Sequence, residues 1–553
     1  MSLKRLAAVY IAVSSASAQL NAFDPREATI SSTHHSLYTG LSTCREVVAS
    51  FISRIEALNN NTNAIISLNP DALLKADECD ASLQLNNGTY GPLFCIPILL
   101  KDNYDTAEQP TTGGNLDLVA SQPSEDAPVV KVLKDAGAIV LGKANLHELA
   151  LEGLSVSSLG GQTINPYDST RTPGGSSGGT GAAIAASFAV WGTGTDTVNS
   201  LRSPASANSL FSCRPTRGLL SRTGVIPISY TQDVVGPIAR NVEDVATALT
   251  VMANVGFDAS DNATALVPQG VRSTDYTLGL TTSSLEGLRF GLLEGLFDRT
   301  QSPESGPVNE AMADITAKLR GAGATIVPIT ESIYNATAIS NELDTQRYEY
   351  RESMDSYLQR PNLGGEHPQT LNELYSSDKF LVIPSQYEFV TTALVSSTSN
   401  ASSSGKKSYD EVSRGTANLT LALHETFRSN DLDAFIYPEQ KNLVVKIGSP
   451  SQSGRNGILA ALTGTPVVTV PVGFSPATET APDGVPIGME ILGLPWTEEK
   501  LLQVAYQIQR LGRVRRTPRW ARQRVEPRAY EIVPVVVPDS GTVDFDAYPS
   551  GKL

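Results

Sequence analysis

Three stretches of this chain carry residue types whose spacing could do chemistry. ILLKDN (98–103) ends an apolar run on Lys101. A lysine at the end of a buried strand loses hydration, which disfavours its charged form and lets it serve as a neutral base. A strand-end lysine that carries its amine out to solvent is the plainer alternative. PGGSSGGTG (173–181) is a glycine-rich turn around Ser176 and Ser177. It lacks the GKS/T ending of a phosphate loop and the GxGxxG order of a dinucleotide site. Its apolar flanks argue against a flexible linker. GTDTVNSLR (194–202) places Ser200 in a small-residue stretch. No histidine is near and no G-x-S-x-G elbow surrounds it, so in isolation it reads as a loop serine, and any base acting on it is not histidine.

Elements must hold these stretches. Apolar spacing predicts a surface helix over 41–58, a buried strand over 91–103, and helix, glycine turn, strand and second helix over 129–150. Residues 159–218 are rich in Gly, Ser, Thr and Pro but nearly uncharged. They read as a tight loop, a buried small-residue helix and a second tight loop, with backbone amides left free to bind. Strands flanking a helix are expected over 286–330. Residues 355–408 read as polar and irregular, and 457–512 as helix, strand, strand, helix. The arginines at 513, 515, 516, 519, 522 and 524 read as a solvated face. Helix–strand alternation without internal repeats predicts one large α/β domain, 19–520, and a C-terminal tail, 521–553.

Composition narrows the partners. A net charge of −15 over 553 residues excludes a nucleic-acid partner gathered by bulk electrostatics, and leaves no attraction to anionic membranes. MSLKR, then LAAVYIAV, then SSASA-Q reads as a secretory signal over 1–18, cut after Ala18. Asn60, Asn87, Asn262, Asn335, Asn400 and Asn418 each head an N-x-S/T triplet, in keeping with a glycoprotein of a eukaryotic secretory route. Cys44, Cys79, Cys95 and Cys213 allow three pairings; the short loop between Cys79 and Cys95 favours that pair. The five histidines (34, 35, 147, 367, 424) form no metal-ligand pattern, so no metal is expected.

Taken together, the motifs resemble the amidase signature family, serine hydrolases with a Ser-Ser-Lys triad. The resemblance runs in order from about residue 40 to 512: KDN, TTGGN (111–115), GKANLHELA (142–150), NPYDSTRTPGGSSGG (165–179), GTDTVNSLRSPA (194–205), RPTRG (214–218), GVIPISYTQDVVGPIARNVEDVA (224–246), GTPVVTVPVGF and GVPIGMEILG (464–493). It implies a large mixed β-sheet covered by helices on both faces. It also implies Ser200 as acyl nucleophile, Ser176 as bridging serine and Lys101 as general base. Ser177 and Asp196 would support them. Backbone N–H groups of Thr197, Val198, Asn199 and Ser200 would hold the oxyanion.

The implied reaction is hydrolysis of a linear, non-peptide amide C–N bond through an acyl-enzyme, without cofactor, by a secreted, fungal-type enzyme that is a monomer or homodimer. Most of the family has Gly-Gly where this chain has Val198-Asn199. Either the loop keeps negative φ and stays competent, or the scaffold serves a non-hydrolytic acyl transfer or inactive binding. A glutaminase subunit of a tRNA-dependent amidotransferase shares the motifs, but the signal segment and sequons oppose it. Segments 151–160, 224–234 and 335–400 are expected to line the pocket, with Tyr230, Tyr348 and Tyr350 either there or in the core.

Overall fold

The computed structural model describes residues 23–85, 90–399 and 407–553; the expected signal segment, Asn87 and Asn400 lie outside them. Among these residues the chain builds an 11-stranded mixed sheet. Its strands in chain order are β1 (Ile65–Leu68), β2 (Ile96–Lys101), β3 (Ala138–Ala144), β4 (Trp191–Asp196), β5 (Phe211–Arg214) and β6 (Val234–Ala239). There follow β7 (Arg289–Leu293), β8 (Thr325–Ile329), β9 (Ala434–Pro438), β10 (Val467–Phe474) and β11 (Pro486–Leu492). The spatial order is β1-β3-β2-β4-β6-β5-β10-β11-β9-β7-β8. β2 runs parallel to both β3 and β4, whereas β4 meets β6 antiparallel.

Every residue of β2, β3, β4 and β6 is buried. Successive strand side chains point to opposite faces, so both faces of this part of the sheet are covered. The cover includes α1 (Cys44–Leu58), α2 (Pro128–Asp135), α3 (Gly178–Ala185), α4 (Arg202–Ala207), α5 (Gly306–Gly321), α6 (Gln346–Leu358), α7 (Ile458–Thr463) and α8 (Glu498–Leu511). This is the expected amidase signature α/β architecture.

Local expectations fail at identifiable places. α1 is not a surface helix: Phe51, Ile52 and Arg54 are fully buried. The guanidinium of Arg54 donates to Ala186 O at 2.8 Å and to Gln523 O at 3.1 Å, because the chain after 520 lies across it. The tail continues along the domain, with Asp539 N donating to Asn63 Oδ1 (3.0 Å) and Tyr548 buried. Arg515 also leaves the expected solvated face: it donates to Glu27 Oε1 (2.6 Å) and Ser209 O (3.1 Å).

The second helix expected before residue 150 is a single turn, Glu148–Ala150, with Leu149 and Ala150 at positive φ. The Glu148 carboxyl accepts from Asn115 Nδ2, Ser158 N and Leu381 N, and these contacts replace helix propagation. Within 159–218 the structure adds β4 and β5, which the composition did not suggest. The stretch 355–408 holds helices at Leu371–Leu374 and Tyr387–Val395 in place of an irregular loop. They pack under α6, where Tyr350, Met354 and Tyr357 are buried.

The disulfide joins Cys44 to Cys95, not Cys79 to Cys95. Cys44 opens α1 and Cys95 precedes β2, and both are buried where those elements meet; Cys79 and Cys213 are free. Loop-closure entropy rises slowly with length, so the shorter loop was a poor guide to pairing.

Candidate active site

Lys101 closes β2, and Thr195 and Asp196 close its parallel neighbour β4. Carboxyl ends of parallel strands are where open α/β sheets form crevices. The Lys101 side chain is fully buried. Its Nζ lies 2.8 Å from Ser176 Oγ and 2.7 Å from Thr195 Oγ1. Burial pushes the amine down to about 7, against the pull of Asp196 and Asp233. The lysine is therefore not the strand-end side chain reaching solvent.

Ser176 sits in the turn leading into α3, with a cis peptide bond between Gly175 and Ser176. His147 N donates to Ser176 O at 3.0 Å and fixes the turn from outside. The His147 ring is pushed by burial to about 3, which leaves it neutral and a poor base. Gly179 lets α3 press against the strand-end residue Asn145: a Cβ there would stand 2.1 Å from Asn145 O. Ser177 Oγ lies 3.3 Å from both Thr195 N and Thr195 O, clipping the turn to the end of β4.

Ser200 stands between β4 and α4 and is nearly buried. Its hydroxyl makes no hydrogen bond among the described residues, so Lys101 and Ser176 are brought into contact while Ser200 is not yet bonded to either. Asp196 holds the loop. It accepts from Leu201 N (3.0 Å), Arg202 Nε (3.0 Å) and Arg214 Nη1 (2.7 Å). Burial opposes its charge, but Arg202 and Arg214 outweigh it and hold the carboxyl at about 2.

The loop directs its amides through its carbonyls. In a trans peptide, C=O and N–H point in opposite directions, so anchoring one aims the other. Thr197 O accepts from Gln232 Nε2 at 3.3 Å. Val198 O accepts from Arg202 Nη2. Asn199 O accepts from Arg202 N (3.0 Å) and Ser203 N (2.8 Å). Among the described residues, the N–H groups of Val198, Asn199 and Ser200 donate to no protein acceptor. None of residues 197–200 has positive φ. The Val198-Asn199 pair thus forms the loop without the conformations that would require glycine. Thr197 Oγ1 donates to Asp233 Oδ1 at 2.6 Å.

Two cavities flank the loop. One of about 570 Å³ is lined by Thr195, Thr197, Ile226, Asp233, Tyr230 and Tyr357. The other, of about 620 Å³, is lined by Leu151, Val198, Gln346, Arg347, Phe389 and Arg455. Parts of all three expected lining segments are represented. Tyr350 instead packs in the core, its hydroxyl 3.0 Å from that of Tyr375. Sequence reasoning missed Thr195, Gln232, Arg202 and Glu439. The first three stand inside the quoted motifs. Glu439, whose carboxyl binds the Asn199 side chain, has no local signal.

A profile of the Amidase family matches residues 46–502. The chain is 31% identical to a probable amidase of Arabidopsis thaliana over 90% of this chain and 92% of the relative. It is 32% identical to a glutamyl-tRNA(Gln) amidotransferase subunit from Alkalilimnicola ehrlichii, over 88% of this chain and 97% of the relative. The solved peptide amidase of Stenotrophomonas maltophilia superposes with a TM-score of 0.75 at 31% identity, covering 89% of this chain and 98% of that one. With a continuous match across the sheet, the lysine strand and the serine loops, the chain belongs to the amidase signature family and is an amide hydrolase by family and fold.

Proposed function

We propose that the chain hydrolyses a linear, non-peptide amide through an acyl-enzyme on Ser200. The observation that carries this is the environment of Lys101: fully buried, with the hydroxyls of Ser176 and Thr195 as its side-chain hydrogen-bond partners among the described residues. The neutral amine of Lys101 takes the Ser176 proton, and Ser176 Oγ takes the Ser200 proton. Ser200 Oγ then adds to the amide carbon. The relay returns one proton to the nitrogen as the C–N bond breaks, and water cleaves the acyl-enzyme by the same relay in reverse. Ser200 reaches Ser176 on substrate binding, since catalytic hydrogen bonds commonly tighten only in the complex. The carbonyl oxygen faces the N–H groups of the 197–200 loop. Removing one such donor lowers the rate by about two to three powers of ten. Ser177 and Asp196 hold the two loops in register.

Secretion belongs to the same reading: a signal segment over 1–18, a domain over 19–520 and a tail over 521–553. Asn60, Asn262, Asn335 and Asn418 are exposed, as glycan acceptors must be, and a disulfide suits an oxidising compartment. The protein acts as monomer or homodimer on a small amide. A screen of primary amides, anilides, esters and peptides on the purified protein tests the substrate class, with fluorophosphonate labelling as the test of the nucleophile. Turnover confined to peptide bonds, or labelling that survives Ser200→Ala, overturns the reading.

A further inference from the structure

The side chain of Asn199 is fully buried directly before Ser200. Its Nδ2 donates to Glu439 Oε1 at 2.9 Å. Glu439, also buried, follows the end of β9, across the sheet from the serine loop. Space for the pair is made at Gly457, where a Cβ would stand 2.3 Å from Val198 O and 2.5 Å from Asn199 Cβ. Arg202 ties these parts together: Nη2 donates to Val198 O and, at 3.0 Å, to Gly457 O. The other face of Arg202 meets Asp196 at 3.0 Å and Glu490 at 2.8 Å.

A buried amide nitrogen without an acceptor is costly, and Glu439 supplies the acceptor for Asn199 Nδ2, while Asn199 Oδ1 has no partner among the described residues. The loop peptides are already aimed by Gln232 and Arg202. The Asn199 side chain adds a further anchor at the residue whose own N–H, like that of Ser200, donates to no protein acceptor among the described residues. We propose that Glu439 is a positioning residue for the hydrolysis: by holding Asn199 it keeps the Val198, Asn199 and Ser200 amides on the reacting carbonyl. This rests on the reading of Ser200 as nucleophile.

The charge state of Glu439 fits the role. Facing it are Glu490 of β11, Arg202 of α4 and Arg455 of the segment before α7, with Asp196 and Tyr437 against the same cluster. Arg202 pairs with both Asp196 and Glu490 and Arg214 with Asp196, whereas Glu439 makes no ion pair among the described residues. Burial first, then the charge of Glu490, pushes Glu439 up to about 8. Below that pH it is a neutral acid whose carbonyl oxygen accepts from Asn199. Above it a surplus negative charge enters the cluster under the loop.

The test compares N199A, E439A, the double variant and E439Q in the full chain. Turnover of a para-nitroanilide and stoichiometric fluorophosphonate labelling are both read, with S200A as control. N199A and E439A are each expected to lower kcat about tenfold to a hundredfold, with KM nearly constant, because small misplacements at a reacting centre are costly. The double variant should be no worse than either single. E439Q keeps an accepting oxygen and should recover most of the loss, and it should lack the fall in kcat expected of wild type above about pH 8. Multiplicative losses in the double variant, a loss in E439Q equal to that in E439A, or identical pH profiles overturn the proposal. Should E439A fail to fold, N199A against E439Q decides by the same criteria. Labelling that persists in S200A defeats the Ser200 reading itself. Labelling lost in S200A, with wild-type turnover in N199A, defeats the tether alone.

Discussion

Lys101 and Lys143 stand on adjacent parallel strands, with Lys143 paired in register to Leu100 and Lys101 to Ala144. Both are completely buried. Their surroundings differ in kind. Lys143 Nζ donates to Tyr104 O (2.7 Å), to Pro110 O (3.2 Å) and to Thr111 Oγ1 (3.3 Å), a hydroxyl whose own proton goes to Tyr104 O, and it lies 3.7 Å from the Asp102 carboxylate. Carbonyls and carboxylates only accept, so that site demands N–H donors and favours the ammonium. Lys101 touches two hydroxyls, which either donate or accept and so tolerate a neutral amine with its lone pair available. Burial pushes both amines down, against the pull of Asp102 and Asp105 on Lys143 and of Asp196 and Asp233 on Lys101. The pair teaches that burial alone does not set a lysine's protonation; the hydrogen-bonding character of its partners also counts.

The largest effect separates the two lysines by chemistry. Lys101→Met should lower kcat/KM by roughly two to four powers of ten while the fold persists, as steady-state kinetics and a thermal melt would show. Lys143→Met reverses the pattern. It strands the buried Asp102 carboxylate and should cost about 3–5 kcal/mol in denaturant unfolding, with kcat of the folded protein little changed. Adding Asp102→Asn should restore much of that stability.

A smaller change converts one site toward the other. Thr195→Asp places an accepting charge beside Lys101. It should move the rising limb of the pH–rate profile upward by about one to three units, read from kcat/KM against pH. In wild type that limb should have its midpoint at about 7, with activity lost as pH falls and Lys101 takes up a proton.

A further effect is on the pH dependence of stability. Lys101 titrates lower in the folded state (about 7) than its ordinary 10.5, so between those values the unfolded chain binds one more proton. The Lys101 contribution to stability therefore rises with pH across that window and is lost as pH falls through about 7. Lys101→Met should flatten this slope in denaturation midpoints measured at several pH values.

What the sequence made legible follows the range of the interactions. β2 and its terminal lysine stand out because a continuous apolar run into a charge is a local pattern. The Ser176 and Ser200 loops are equally local in composition, and the ordered motifs joined them. α6 was hidden by its polar surface, although Tyr350, Met354 and Tyr357 sit at helical spacing. The turn at 148–150 escaped because the carboxyl of Glu148 is satisfied by Leu381 N, 233 positions away. The Asn199–Glu439 bond spans 240 positions, and the Cys44–Cys95 bridge depends on where α1 lands on the sheet. No periodicity carries such information. The unusual Val198-Asn199 pair marked the right place without its reason, which lies in Gly457, Arg202 and Glu439.

The most direct test of the neutral lysine is the rate of Ser200 labelling by a fluorophosphonate as a function of pH, in wild type and Lys101→Met. The account predicts a rate in wild type that rises through about pH 7, and a slow profile without that rise in the variant. A wild-type rate independent of pH across the neutral range, or a variant that labels as fast as wild type, would contradict it.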